Sequence, residues 1–227
     1  MMPDTVPWFF SKELRANAII IDHILEIDNP KLEIAIIAIH FSPNNPKLNI
    51  KIDIIFCSVL TRAIKTAQLT INQLNNHSHL YKDDNIIMTK DSALNERDYG
   101  QLVGLNKSDV AKKYGKEQTQ LWRRSYNVAP PNGESLKNVI ERVDPYFSKN
   151  IKSEINNKKN VLVVAHGNSL RAMLICLNIY KPQDISKVEI PTGKPYILKF
   201  DDGRLIDEAG GIATASSIIS DLKGWIN

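Results

Sequence analysis

Val161-Leu162-Val163-Val164-Ala165-His166-Gly167-Asn168-Ser169-Leu170-Arg171 decides how this chain is read. An unbroken apolar run of this length, three of its members valine and bounded by a turn, has the pattern of a strand buried on both faces. The run ends at a small-residue turn, and residues 170–177 then read as a helix that Ser169 can cap. A strand that gives way to a helix in this manner sets an imidazole and several backbone N–H groups at the carboxyl edge of a parallel sheet, where anions bind. Asn168 offers an amide to the same place. A histidine after a strand also serves as a hydrogen-bonded structural residue, and the motif alone leaves both roles open.

Working outward, the chain alternates. Residues 52–57 form a β-branched run, 58–74 carry apolar residues at helical spacing, and 86–88 supply a further short strand. The polar segment 95–104, with Gly100 and Gly104, reads as a loop over the sheet edge. Residues 106–114 and 116–126 read as helices, Pro130-Pro131-Asn132-Gly133 as a turn, and 136–155 as a helix interrupted or kinked at Pro145. A connection ending in Pro191-Thr192-Gly193 leads to a last strand at 196–200, and two isoleucine-rich runs, 18–21 and 34–39, add buried strands near the start. The alternation predicts an α/β fold, a three-layer sandwich of a mostly parallel sheet with helices on both faces.

The 227 residues, 43% of them hydrophobic, suffice for one domain with a substantial core, expected to span 1–227 with a mobile tail from about 208. A net charge of +4 arises from 29 basic and 25 acidic residues interspersed along the chain, which argues against a nucleic-acid tract and suits a small anionic substrate. Cys57 and Cys176 both lie in apolar runs, as reduced core residues do. No cationic leader precedes an apolar stretch, and no run approaches the roughly 20 apolar residues of a membrane span. The expectation is a cytoplasmic protein without membrane or nucleic-acid partners.

Four further clusters carry chemistry. In Ser58-Val59-Leu60-Thr61-Arg62-Ala63, Arg62 falls in the first turn of a helix after a strand, a place for a phosphate or equally for a solvated arginine. Asn95-Glu96-Arg97-Asp98-Tyr99-Gly100 sets a carboxyl beside a guanidinium and a phenol, able to exchange a proton while its neighbours grip an anion, or simply to form a loop ion pair. Lys107 in Gly104-Leu105-Asn106-Lys107, and Arg123-Arg124 in Leu121-Trp122-Arg123-Arg124-Ser125-Tyr126, add three cations. His77 and His79 form a His-x-His pair that a metal could use, though a solvated loop needs no such reading.

Taken in order, these strings, with 130–135, 165–171 and 191–193, closely resemble the cofactor-dependent phosphoglycerate mutases of the histidine phosphatase superfamily, over about residues 52–200. The resemblance implies interconversion of 3- and 2-phosphoglycerate in glycolysis and gluconeogenesis through a phosphohistidine, primed by 2,3-bisphosphoglycerate and needing no metal. It implies Glu96 as proton donor and acceptor and His166 as the residue that steadies the transferring phosphoryl group. Arg62, Gly167 and Asn168 would line the phosphoryl pocket, and Arg97, Tyr99, Lys107, Arg123 and Arg124 would hold the substrate's carboxylate and distal phosphate. Such enzymes commonly form homodimers or homotetramers. A phosphatase of the same superfamily and a phosphoanion-binding member without turnover are the alternative readings.

The family's nucleophile is a histidine in an Arg-His-Gly string at the end of the first strand, and this chain has no such string. His23 follows the run 18–21 and has Asn29 six positions later, but Asp22 and Ile24 flank it where the family has Arg and Gly. His40 follows 34–39 and stands much nearer Arg62 than the family's separation of about fifty residues. No glycine occurs before Gly100, so the first 50 residues or so are aberrant relative to the family. A shifted reading frame or a divergent replacement, joined to an intact remainder, would account for this. Translating the coding DNA upstream of Ile52 in the other frames is expected to yield Arg-His-Gly; its absence from them excludes the shifted frame.

Overall fold

The computed structural model describes residues 34–40, 52–77, 86–185, 188, 190 and 196–206. The strand expected at 18–21, His23, His79, the turn at 191–193 and the tail from 208 lie outside the described residues. Six strands form one sheet: β1 (Ile34–His40), β2 (Ile54–Ser58), β3 (Ile87–Asp91), β4 (Val161–Ala165), β5 (Tyr196–Asp201) and β6 (Arg204–Ile206). Their order is β3-β2-β4-β1-β5-β6. The helices are α1 (Thr61–His77), α2 (Lys107–Tyr114), α3 (Lys116–Arg124), α4 (Leu136–Tyr146), α5 (Lys152–Asn156) and α6 (Gly167–Cys176).

Strand alternation divides the apolar side chains between two faces. Val161, Val163 and Ala165 of β4, with Ile54 and Phe56 of β2, join a core completed by Val139 and Val143 of α4 and Leu170 and Met173 of α6. Leu162, Val164, Ile55 and Cys57 point the other way, onto Ala63 and Ala67 of α1. Every residue of β2 and β4 is buried, so each fully buried Val, Leu or Ile there contributes about 1.5–3 kcal/mol. The result is the expected sandwich, helices covering both faces of a largely parallel sheet.

β2 pairs parallel with both β3 and β4, so Ser58, Asp91 and the turn after Ala165 emerge at one edge. β1 runs antiparallel to β4, with Ile34 opposite Ala165 and Ala38 opposite Val161. His40 therefore ends its strand at the opposite edge, six residues from Ile34, or about 20 Å at ~3.3 Å per residue. That register sets the backbone of His40 at the sheet edge away from His166.

Local differences from the sequence reading have local causes. The last helix starts at Gly167 rather than 170, because His166 keeps an extended backbone and is itself the N-cap, leaving Ser169 as the third helical residue. Ser58 closes β2 instead of opening a helix, and α1 begins at Thr61. At Pro145 the expected interruption is found, as a change of helix type. Pro145 has no N–H for the carbonyl four residues back, and the ladder shifts into a π-turn at Phe147–Ile151 before α5 continues. The sheet gains β6 through a hairpin at Asp202-Gly203, both at positive φ. Cys176 is half-buried rather than fully so, and burial together with nearby Asp144 pushes its thiol up to about 12.

Gly100 joins the 95–100 loop to the turn at 130–133. Its φ is +55°, and a Cβ there would lie 2.2 Å from the Pro131 carbonyl oxygen and 2.5 Å from the Asn132 carbonyl carbon. Gly100→Ala is expected to lower the unfolding free energy by about 2–4 kcal/mol in urea titration, strain and overlap acting together.

Candidate active site

The site begins where β4 ends. His166 is wholly buried, and its backbone N–H donates to Ser169 Oγ at 3.0 Å, closing the first turn of α6. Its Nε2 lies 2.8 Å from Ser58 Oγ at the end of β2, and Ser58 Oγ donates to Asn95 Oδ1 at 2.9 Å. Neighbouring parallel strands thus deliver an imidazole and a hydroxyl to one point, and the hydroxyl reaches the loop that carries Glu96.

Glu96 is half-buried and faces the N-terminus of α6. Its Oε1 accepts from Asn168 Nδ2 at 3.0 Å, from the Asn168 backbone N–H at 3.3 Å and from its neighbour Arg97 N–H at 2.7 Å. The carboxylate occupies the place where a helix start holds an anion. Among the described residues Oε2 accepts no hydrogen bond, so it is the oxygen open to proton exchange. Asn168 Nδ2 also reaches Tyr99 Oη at 3.5 Å.

Two arginines hold this loop from opposite sides. Arg97, 2% exposed, donates through Nη2 to the carbonyls of Trp122 at 2.9 Å and Arg123 at 3.3 Å, in the last turn of α3 where a cation is favoured. Its guanidinium stacks 4.3 Å from the Tyr99 ring centre. Arg142, from α4, donates to the carbonyls of Ala93 at 2.7 Å, Asn95 at 3.0 Å and Glu96 at 3.3 Å. It also grips Glu134 through Nε at 2.8 Å and Nη2 at 3.0 Å. Glu134 Oε2 accepts the Asp98 N–H at 2.9 Å, and the Glu134 N–H donates back to the Asp98 carbonyl at 2.7 Å. Burial alone would raise the Glu134 pKa; the bonds from Arg142 and Asp98, with the charges of Arg142 and Arg97, outweigh it and hold the carboxyl below its ordinary 4.5.

Beside Glu96 lies a narrow, solvent-open cleft of about 10 Å³, its wall including Arg97, Arg123, Arg124, Arg171, Ser125 and Asn168. Among the described residues lining it there are four guanidiniums and no carboxylate, a surplus suited to an anion of more than one charge. Arg171 donates to Asn168 Oδ1 at 3.4 Å and to the Val188 carbonyl at 2.9 Å, which fixes the amide with its NH₂ toward Glu96. A Cβ on Gly167 would meet only Arg171 Nη1 at 3.5 Å, so the fold does not demand glycine there. What the missing side chain supplies is open space over the helix start.

Of the residues singled out in the sequence, Glu96, Arg97, Tyr99, Asn168 and His166 form one connected network, and Arg123 and Arg124 stand at its cleft. Arg62 lies in the first turn of α1, beyond the end of β2, and Lys107 opens α2; neither is among the lining residues of the cleft. Arg171, Arg142, Glu134, Ser58 and Asn95 were not identified as site residues. Their roles lie in bonds across the sequence, and only the inclusion of Ser58, Asn95, Glu134 and Arg171 in the family-like strings gave any signal. Among the described residues no three His, Cys, Asp or Glu side chains converge as a metal site requires, and no helix is long and apolar enough to cross a membrane.

The model for the histidine phosphatase superfamily, branch 1, matches residues 47–207. A Cytophaga hutchinsonii protein named 2,3-bisphosphoglycerate-dependent phosphoglycerate mutase is 47% identical over 148 residues, 65% of this chain and 66% of that protein. A Bartonella bacilliformis protein of the same name is 45% identical over 163 residues, 72% of this chain and 76% of that protein. The chain thus spans about two thirds to three quarters of the length of these relatives. Among solved structures, mycobacterial hydrolase 2 superposes with a TM-score of 0.51 at 16% identity, covering 85% of this chain and 97% of that one. At that identity the likeness shows the fold alone.

Two outcomes follow from the Arg142–Glu134 clamp. Arg142→Ala leaves three loop carbonyls and a half-buried carboxylate without their donor, and is expected to lower the unfolding free energy by about 2–4 kcal/mol. Because Glu134 has a lowered folded pKa, its stabilisation is complete above 4.5 and is lost as pH falls through the folded value. Chemical unfolding measured from about pH 6 downward should therefore show a shallower acid loss in Glu134→Gln than in wild type, from a lower starting stability.

Proposed function

The chain belongs to the histidine phosphatase superfamily, and from that premise we propose that it acts on phosphoglycerates as a 2,3-bisphosphoglycerate-dependent phosphoglycerate mutase. The observation that carries this is the placement of Glu96, gripped by Asn168 at the start of α6, beside a wall of four arginines. A phosphoglycerate has a carboxylate and a phosphate to bind and a free hydroxyl to phosphorylate; the cleft offers guanidiniums for the first two, and Glu96, bonded to Asn168 of its wall, is the carboxylate for the third.

Arg123 and Arg124 hold the substrate anions and orient the hydroxyl. As that hydroxyl attacks phosphorus on a carrier histidine, the N–P bond breaks, an O–P bond forms, and the hydroxyl proton passes to Glu96 Oε2. His166 steadies the transferring phosphoryl group, and the guanidiniums offset its charge. In the reverse step Glu96 returns the proton. The four arginines fit a bisphosphate, which when bound supplies the phosphoryl group that primes the histidine. His23, whose neighbours Asp22 and Ile24 depart from the family's Arg and Gly, is the substitute carrier that the mutase reading requires.

A second reading is a phosphoglycerate-binding protein without turnover. It is favoured by the direction of β1, which brings Ile34 rather than a strand-end histidine alongside Ala165.

Incubating the full chain with 2,3-bisphosphoglycerate and testing for acid-labile phosphohistidine, then assaying isomerisation, separates the two. Label with isomerisation is expected, with label lost in His23→Ala and turnover falling about 10²–10⁴-fold in Glu96→Gln. Binding without label or turnover overturns the mutase reading in favour of the second, and label with hydrolysis but no isomerisation identifies a phosphatase.

A further inference from the structure

We propose that Ser58 and Asn95 are positioning residues that fix the ring proton of His166 on Nε2. The tautomer stands on the geometry alone, and only its consequence for phosphoryl transfer rests on the function proposed above.

A hydroxyl has one proton to give and two lone pairs to receive. Ser58 Oγ, in a fully buried residue, meets three partners: Asn95 Oδ1 at 2.9 Å, the Leu60 N–H at 3.1 Å and His166 Nε2 at 2.8 Å. The Leu60 N–H can only donate. The Asn95 side chain is oriented independently, because its Oδ1 also receives the Val59 backbone N–H at 3.2 Å, so its oxygen and not its NH₂ faces Ser58. The hydroxyl proton therefore goes to Asn95, both lone pairs accept, and the proton on the third contact belongs to His166 Nε2. In the neutral ring Nδ1 is then the unprotonated nitrogen. The ring's one proton is committed to Ser58 Oγ, and Nε2 cannot take another, which leaves exchange with the substrate hydroxyl to Glu96.

Long-range ¹H–¹⁵N correlation spectra of the ¹⁵N-histidine-labelled full chain test this without substrate, with His166→Gln assigning the resonance. At a pH where the ring carries one proton, wild type should show the protonated-nitrogen shift at Nε2. In Asn95→Ala the Ser58 hydroxyl is freed to turn and donate, and the Nε2–H form should fall about fivefold relative to Nδ1–H, the worth of one net hydrogen bond. Ser58→Ala should shift the ratio likewise and Ser58→Thr, which keeps the hydroxyl, should restore it. A wild-type proton on Nδ1, or an Nε2–H signature unmoved in a folded Asn95→Ala chain, overturns the assignment.

Discussion

The guanidinium of Arg142 is the contact on which the rest of the site depends. It reaches three carbonyls of the 93–96 segment and both oxygens of Glu134, whose carboxylate and N–H in turn hold both backbone groups of Asp98. An irregular loop has no ladder to satisfy its carbonyls, and a planar five-donor fork does so at several points at once. With that segment fixed, Asn95 meets Ser58, Glu96 meets Asn168 and Arg97 meets the end of α3. Released from it, the acid, the imidazole and the arginine wall would each keep their own element and lose their relation to one another.

The arginines differ in what they touch. Arg97 and Arg142 turn donors onto backbone carbonyls and so hold structure, while Arg123 and Arg124 end α3 at the cleft with side chains on its wall. Arg171 stands between these roles, bonding Asn168 and the Val188 carbonyl while lining the same space. Guanidiniums from separate elements converge there because α3 and α6 are tied through the Glu96 loop, not because the helices were basic on one face.

The fold was legible where local pattern and burial agree. The run 161–165 had to be a strand with both faces covered, and 136–156 stays helical past Pro145 because a π-turn at Phe147–Ile151 takes up the change in the ladder. The hairpin at Asp202-Gly203 rests on a dipeptide suited to a tight turn, both residues at positive φ. Glu96, His166 and Asn168 were legible because they sit in contiguous strings. Arg142 was not, since an arginine on an amphipathic helix reads as solvated, and only its bonds to residues more than forty positions away reveal its task. The direction of β1 was equally hidden, because an isoleucine run specifies burial and says nothing of which end lies at the site.

A half-buried, pre-oriented carboxylate beside an arginine wall with no carboxylate among its described residues underlies the proposal that this cleft receives a small dianion or trianion, whatever residue carries phosphate. Calorimetric titration of 3-phosphoglycerate into the full chain measures that property directly. One ligand should bind per chain, and the affinity should fall by about tenfold or more in the double variant Arg123→Ala/Arg124→Ala, as charge-assisted hydrogen bonds are lost. Heats no larger than dilution, or an affinity unchanged in the double variant, would contradict a phosphoglycerate site at this sheet edge.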